Sequence, residues 1–250
     1  MSAFLASVRN LSEAVMAHRA GADWIDLKEP AAGALGAVDL STVEEVVQWL
    51  RRQARKVSIS ATIGDCWNTP ALMPNRVAKL RVAGVDYAKI GLYAAAPAVE
   101  LRQTIWDCCH VGPRIIVVCF AEKPPRSDDV RAYAACGIDG IMLDTANKSG
   151  PALLGLMSTN ALLEFVIEGQ RHGLICGLAG SLTSGDIEKL STLHADYLGF
   201  RGALCHNAMR KSDFSLTAAL SVRARIDAVS KRLSKGRHGQ PNRDKVCAKS

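Results

Sequence analysis

Two lysines stand where an amine could do carbonyl chemistry. Lys28 closes the segment Ala22-Asp-Trp-Ile-Asp-Leu-Lys28, and Lys89 lies near the end of Asp86-Tyr-Ala-Lys-Ile-Gly91. A third apolar run, Gly140-Ile-Met-Leu-Asp144, ends on a carboxylate, with Lys148 four residues later. A charge at the end of an apolar strand is costly to bury without a partner. An amine in a partly apolar pocket loses its proton more readily and can then attack a carbonyl. A second lysine beside it favours one neutral amine, because like charges disfavour joint ionisation.

Side chains alternate along a strand. Asp26 and Lys28 therefore share a face, as do Tyr87 with Lys89 and Met142 with Asp144. The opposite faces carry Ile25 and Leu27, Ala88 and Ile90, and Ile141 and Leu143, which suits packing against helices. Two lysines and two aspartates are thus expected to converge on one mouth. A structural ion-pair network would place the same residues together, and such networks also shift pKa values.

The elements that must position these residues repeat eight times. Short apolar runs suited to buried parallel strands fall near 3–8, 23–28, 57–62, 86–91, 114–120, 139–144, 174–179 and 196–200. Helical stretches alternate with them, near 11–20, 41–54, 74–83, 95–109, 127–136, 158–172, 183–193 and 214–230. Ala20-Gly-Ala-Asp23, Ala83-Gly-Val-Asp86, Cys136-Gly-Ile-Asp139 and, less closely, Leu193-His-Ala-Asp196 read as helix stops leading into strands. Asn10 or Ser12, Ser41, Ser127, Ser158 or Thr159, and Thr183 or Ser184 read as N-caps. Eight βα units in 250 residues predict a single-domain (β/α)8 TIM barrel over residues 1–230. A doubly wound sheet is the alternative, since the pattern alone does not prove closure.

In such a barrel the active site forms at the carboxyl ends of the strands, and the loops after strands seven and eight often bind phosphate. Here those loops read Gly177-Leu-Ala-Gly-Ser-Leu182 and Gly199-Phe-Arg-Gly-Ala203. Gly180 and Gly202 would let backbone approach an anion closely. Ser181 offers a hydroxyl and Arg201 a fork of donors. Ser58, Ser60 and Thr62 on the third strand are smaller candidates, with core filling as the alternative, and Asp65 reads as a helix cap or a lysine's partner.

Bulk properties narrow the class. The net charge is +7, but residues 231–250 carry seven Lys or Arg against one acid, Asp244, so +6 of it lies there. That segment reads as a basic, disordered tail and the body as nearly neutral. This argues against nucleic acid as the main partner. No apolar run reaches the roughly 18 residues of a membrane span, and the start has no secretory pattern. The eight cysteines form no Cys-x-x-Cys pair and no zinc spacing, which predicts a reducing cytoplasm, no disulfides and no metal. Self-association is left open.

Six motifs in order carry a further signal: Asp26-Leu-Lys-Glu-Pro-Ala-Ala-Gly-Ala-Leu-Gly-Ala37, Ser60-Ala-Thr-Ile-Gly-Asp65, Lys89-Ile-Gly-Leu-Tyr93, Met142-Leu-Asp-Thr-Ala146 with Lys148, Leu178-Ala-Gly-Ser181 and Arg201-Gly-Ala203. Together they resemble the (5-formylfuran-3-yl)methyl phosphate synthase family of methanofuran biosynthesis, from about residue 4 to 230. The resemblance implies a carbon–oxygen lyase acting on phosphates. It would join two molecules of glyceraldehyde 3-phosphate, lose phosphate and water, and need no cofactor. It implies a Schiff base on Lys28 and proton acceptance by Lys89, with Asp26, Asp144 and Lys148 in support. The stretches after Lys148 and after Cys205, the latter His206-Asn-Ala-Met-Arg-Lys-Ser212, are least like the family. Two other readings compete. One is another Schiff-base aldolase acting on a sugar phosphate. The other is a non-catalytic barrel that binds phosphate or RNA.

Overall fold

Four aspartates pin the strands in pairs. Asp23, Asp86, Asp139 and Asp196 each precede an even-numbered strand. Their carboxylates accept the backbone amides of Phe4, Ile59, Ile115 and Cys176 on the odd-numbered strand before it, at 2.7–2.8 Å. The glycines two residues earlier, Gly21, Gly84 and Gly137, turn at φ of 83–85°. His194 takes the fourth such place at φ 58°. The recurrent Gly-x-Asp punctuation is therefore a repeated device: a left-handed stop for the helix, then a carboxylate that ties the next strand to its predecessor.

The computed structural model describes residues 2–93 and 99–238. Eight parallel strands close on themselves: β1 Ala3–Val8, β2 Trp24–Leu27, β3 Ser58–Thr62, β4 Tyr87–Leu92, β5 Arg114–Phe120, β6 Gly140–Asp144, β7 Ile175–Leu178 and β8 Tyr197–Phe200. β8 pairs with β1 (Tyr197 opposite Ala3), which settles barrel against open sheet. The helices are α1 Leu11–Arg19, α2 Leu40–Arg51, α3 Met73–Val82, α4 Val99–Val111, α5 Ser127–Ala134, α6 Leu153–Leu156, α7 Thr159–Arg171, α8 Ile187–Ser191 and α9 Leu216–His238.

Two apolar layers result from strand alternation. Ile25, Leu27, Ala88, Ile90, Ile141 and Leu143 pack outward against the helices. Trp24, Tyr87, Met142 and Tyr197 fill the barrel interior. Trp24 lies between Tyr87 and Tyr197, with ring centroids 4.6 and 5.0 Å away. These rings floor the site above them.

Some expectations change. The N-cap of α2 is Asp39 rather than Ser41. At α5, Ser127 is the first helical residue, and the Asp129 carboxylate accepts the Arg126 amide at 2.8 Å. Asn10 and Ser158 do cap their helices. Helix α9 runs on through 231–238, into the segment expected to be disordered. Its inner stripe, Ala219, Val222, Ile226 and Val229, is buried, and packing of that kind carries a helix further than composition suggests. The remainder of the expected tail, 239–250, lies outside the described residues.

Candidate active site

Asp144 ends β6 with both oxygens engaged by amines. Lys148 donates to Oδ1 at 2.5 Å, and the Lys28 amine is 3.6 Å from Oδ2. The Thr145 amide also donates to Oδ1, at 2.8 Å. Lys28 stands one residue beyond the end of β2, where its stem is still inside the barrel and its amine reaches the mouth. Lys148 arrives from the loop after β6 and also reaches Thr145 Oγ1 at 3.3 Å.

A second pair lies deeper. The Lys89 amine is 2.8 Å from Asp26 Oδ1, and both side chains are excluded from water. Ser60 donates to Asp26 Oδ1 at 2.6 Å and Ser7 to Oδ2 at 3.0 Å. Lys89 is not at the strand end as its sequence position suggested. β4 continues three residues beyond it to Leu92, and Lys89 pairs in register with Thr62 and Ile116. Its amine hangs 5.7 Å over the Tyr197 ring. A cavity of about 740 Å³ opens above, within the range of small-molecule sites. Asp26, Lys28, Asp144 and Lys148 line it, and Lys89 does not.

The electrostatics follow from burial and pairing. Burial would raise the Asp144 carboxyl, but Lys148 and Lys28 outweigh it and hold the group well below the usual range. Burial pulls the Lys148 amine down to about 8, against the attraction of Asp144 and with the help of Lys28 and Arg210. Burial likewise lowers Lys89, against the pull of Asp26. For Asp26 burial acts upward and loses to Lys89, Lys28 and Ser60, so the carboxylate is favoured. The mouth therefore holds firm carboxylates beside a Lys148 amine whose proton is loosened.

The loops after β7 and β8 complete the cavity with Gly180, Ser181, Arg201 and Gly202. Gly180 has φ 113°, and a Cβ there would come within 2.8 Å of Thr145 Cγ2. Ser181 follows in the left-handed region at φ 52°. Among the described residues, no protein acceptor pairs with the backbone amides of Gly180, Ser181, Gly202 or Ala203. Free amides on a tight, glycine-dependent turn suit an anion.

Arg201 is a correction. Its guanidinium does not offer a fork to ligand, because all five N–H groups bind protein. Nε donates to the Arg210 carbonyl, Nη1 to Glu13 and the Ser7 carbonyl, and Nη2 to Glu13 and the Ser212 carbonyl. Glu13 on α1 is buried, so the cation neutralises it and ties the β8 loop to the first βα unit.

Several contributors were not foreseen. Ser7 belongs to no motif, although alternation from the inward Leu5 places it on the same face. Ser60, a smaller candidate on sequence, holds Asp26. Glu13 gave no signal, since its partner is 188 residues away. Arg210 lines the cavity from a stretch with no recognisable motif. Asp65 orients no lysine; its Oδ1 accepts the Trp67 amide at 3.3 Å. Among the described residues no group of three or more His, Cys, Asp or Glu could hold a metal, and no helix is long and apolar enough to cross a membrane.

Comparison with known proteins adds a separate line of observation. A family model described as 4-HFC-P synthase matches residues 4–223. A Methylorubrum extorquens protein, provisionally named (5-formylfuran-3-yl)methyl phosphate synthase, is 41% identical over 207 residues, covering 83% of this chain and 84% of its own. The (5-formylfuran-3-yl)methyl phosphate synthase of Methanopyrus kandleri is 33% identical over 219 residues, covering 82% and 90%. Among solved structures, a 3-hexulose-6-phosphate synthase superposes with a TM-score of 0.63 at 16% identity, over 89% of this chain and 99% of that one. At that identity the likeness is one of fold.

Proposed function

The chain belongs to the 4-HFC-P synthase family, and from that premise we propose that it makes (5-formylfuran-3-yl)methyl phosphate for methanofuran-type carriers. The substrates are two molecules of glyceraldehyde 3-phosphate, and one phosphate and two waters are released. The reaction is that of a carbon–oxygen lyase acting on a phosphate. The observation that carries this reading is the arrangement of Lys28 and Lys148 on the two oxygens of one buried carboxylate, at the mouth of a cavity that free backbone amides also line.

In this reading the neutral Lys28 amine attacks the aldehyde of one triose, and loss of water leaves an iminium. The iminium acidifies C2. Asp26, which faces the cavity, takes the C2 proton, and the Lys89 ammonium behind it holds the carboxylate in place for that transfer. The resulting enamine has the C3 phosphate in the β position, and that phosphate leaves with the C–O electron pair. Bonding to the second triose, ring closure and dehydration complete the furan. Lys148 exchanges protons at the mouth, for which an amine titrating near 8 is suited. Asp144 keeps the two mouth amines apart in role, holding one charged while the other reacts. The Gly180–Ser181 and Gly202 amides hold the phosphate that the product retains.

The test is product analysis. Purified protein with glyceraldehyde 3-phosphate should release one inorganic phosphate for each furan aldehyde phosphate formed, read by mass and by furan absorbance. Phosphate release without furan would assign the site to a different Schiff-base reaction.

A further inference from the structure

Every lysine of the catalytic cluster has a carboxylate, and so does Arg201. Arg210 does not. Among the described residues no Asp or Glu oxygen lies within 4.0 Å of its guanidinium, although it is half-buried and lines the same cavity. One of its N–H groups is used, by Nη2 donating to the Gly33 carbonyl at 3.0 Å, across from the loop that follows β2. Asp144 and Glu29 act on Arg210 only at longer range, and an arginine in a cavity with no carboxylate in contact leaves donors for an anion in a fixed planar set.

Its backbone is held in place from behind. Arg201 Nε donates to the Arg210 carbonyl at 2.9 Å and Nη2 to the Ser212 carbonyl at 3.4 Å. Arg9 donates to the Lys211 carbonyl at 3.2 Å. Both arginines pair with the buried Glu13, and Arg9 pairs also with Asp213. The approach to Arg210 runs through Asn207 and Ala208, both left-handed at φ 55° and 56°. Left-handed non-glycine residues are uncommon and persist where the surroundings enforce them. The loop is thus built to present residue 210, and the buried Glu13–Arg201 pair is its foundation. Arg210 is also near enough to Lys148 to add to burial in lowering that amine, which places it beside the reacting end of the cavity.

We propose that Arg210 is the ligand of a second phosphate, the one that leaves, distinct from the phosphate held by the Gly180–Ser181 turn. The proposal rests on the two-triose reading for the identity of that phosphate, and on geometry alone for the anion site. The cavity charge agrees. Lys28, Lys148, Arg210 and Lys211 set against Asp26 and Asp144 leave a surplus of positive charge once Arg201 is assigned to Glu13. One phosphomonoester on the Gly180 side does not use Arg210, and a second one does.

The experiment uses the full chain and inorganic phosphate. Calorimetric titration of the parent should show two phosphate sites, and Arg210→Gln should lose one while keeping the other, with unchanged melting temperature. Affinity at the lost site should fall about ten- to a hundredfold, the range for one charge-assisted contact. Arg210→Lys should recover part of it, since charge is kept and the fork is not. In turnover, Arg210→Gln should still form the reducible adduct on Lys28 and should release furan product far more slowly. Retention of both phosphate sites in Arg210→Gln would overturn the proposal, as would a single site in the parent. Because phosphate binding needs no catalysis, two sites in a protein that makes no furan would sink the proposed reaction and leave the anion site standing.

Discussion

The Lys89 amine and the Asp26 carboxylate meet at 2.8 Å with neither side chain reaching water, yet only Asp26 faces the cavity. Asp26 is at once a wall of the site and the partner of an amine behind that wall. Any exchange of protons between ligand and Lys89 passes through it. Two serines complete its shell, and Ser7 links it to Arg201, which donates to the Ser7 carbonyl.

This pairing predicts strong energetic coupling. Asp26→Asn alone should destabilise the fold by about 3–5 kcal/mol, because it strands a buried ammonium. Lys89→Met alone should cost a similar amount by stranding the carboxylate. The double variant should cost much less than the sum. Denaturant unfolding of all four proteins measures the cycle, and additive losses would contradict the pair.

The pH profile should carry the signature of Lys148. Its amine titrates near 8, below the ordinary lysine value, so the neutral fraction grows as pH rises through 8. If it accepts a proton in turnover, kcat should climb through that pH and level off above it. In Lys148→Arg the side chain stays charged, and the residual rate should be flat through pH 8. An unchanged climb in the variant would move the titration to another group.

Much of the barrel was legible because its signals are local. Alternation is a property of neighbouring residues, and it set Asp26, Lys28, Lys89 and Asp144 on inward faces. The Gly-x-Asp stops are short motifs with one structural solution. Depth along the barrel is not local. Lys28 and Lys89 look alike in sequence, and the register that puts one past its strand and the other mid-strand depends on partners in the adjacent strands. Arg201 misled for the same reason: its loop does follow β8, but its guanidinium answers to Glu13, nearly the whole chain away. Arg210 belongs to a loop whose path is set by carbonyl contacts, which leave no trace in residue type.

Gly180 should not tolerate a side chain. At φ 113°, and with Thr145 atoms 2.8 and 3.1 Å from the position of a Cβ, Gly180→Ala should lose about 1–3 kcal/mol of stability. The same change tilts the free amides, so KM for the phosphorylated substrate should rise. Steady-state kinetics beside thermal unfolding would show both, and an unaltered KM would remove this turn from the phosphate site.

Arg201→Lys tests the reassigned arginine. A lysine keeps the charge and loses the fork that reaches Glu13 and three carbonyls at once. The expected loss is about 2 kcal/mol or more. Arg9→Lys, at a partly exposed site, should lose under about 1 kcal/mol. Equal, small losses from both would return Arg201 to the list of ligand contacts.

The central claim is a Schiff base on Lys28. Incubation with glyceraldehyde 3-phosphate and borohydride, followed by peptide mass mapping, tests it directly. The account predicts a reduced triose adduct on Lys28, absent without borohydride and absent in Lys28→Arg. An adduct on Lys89 or Lys148 instead, or none while furan is still formed, would contradict it.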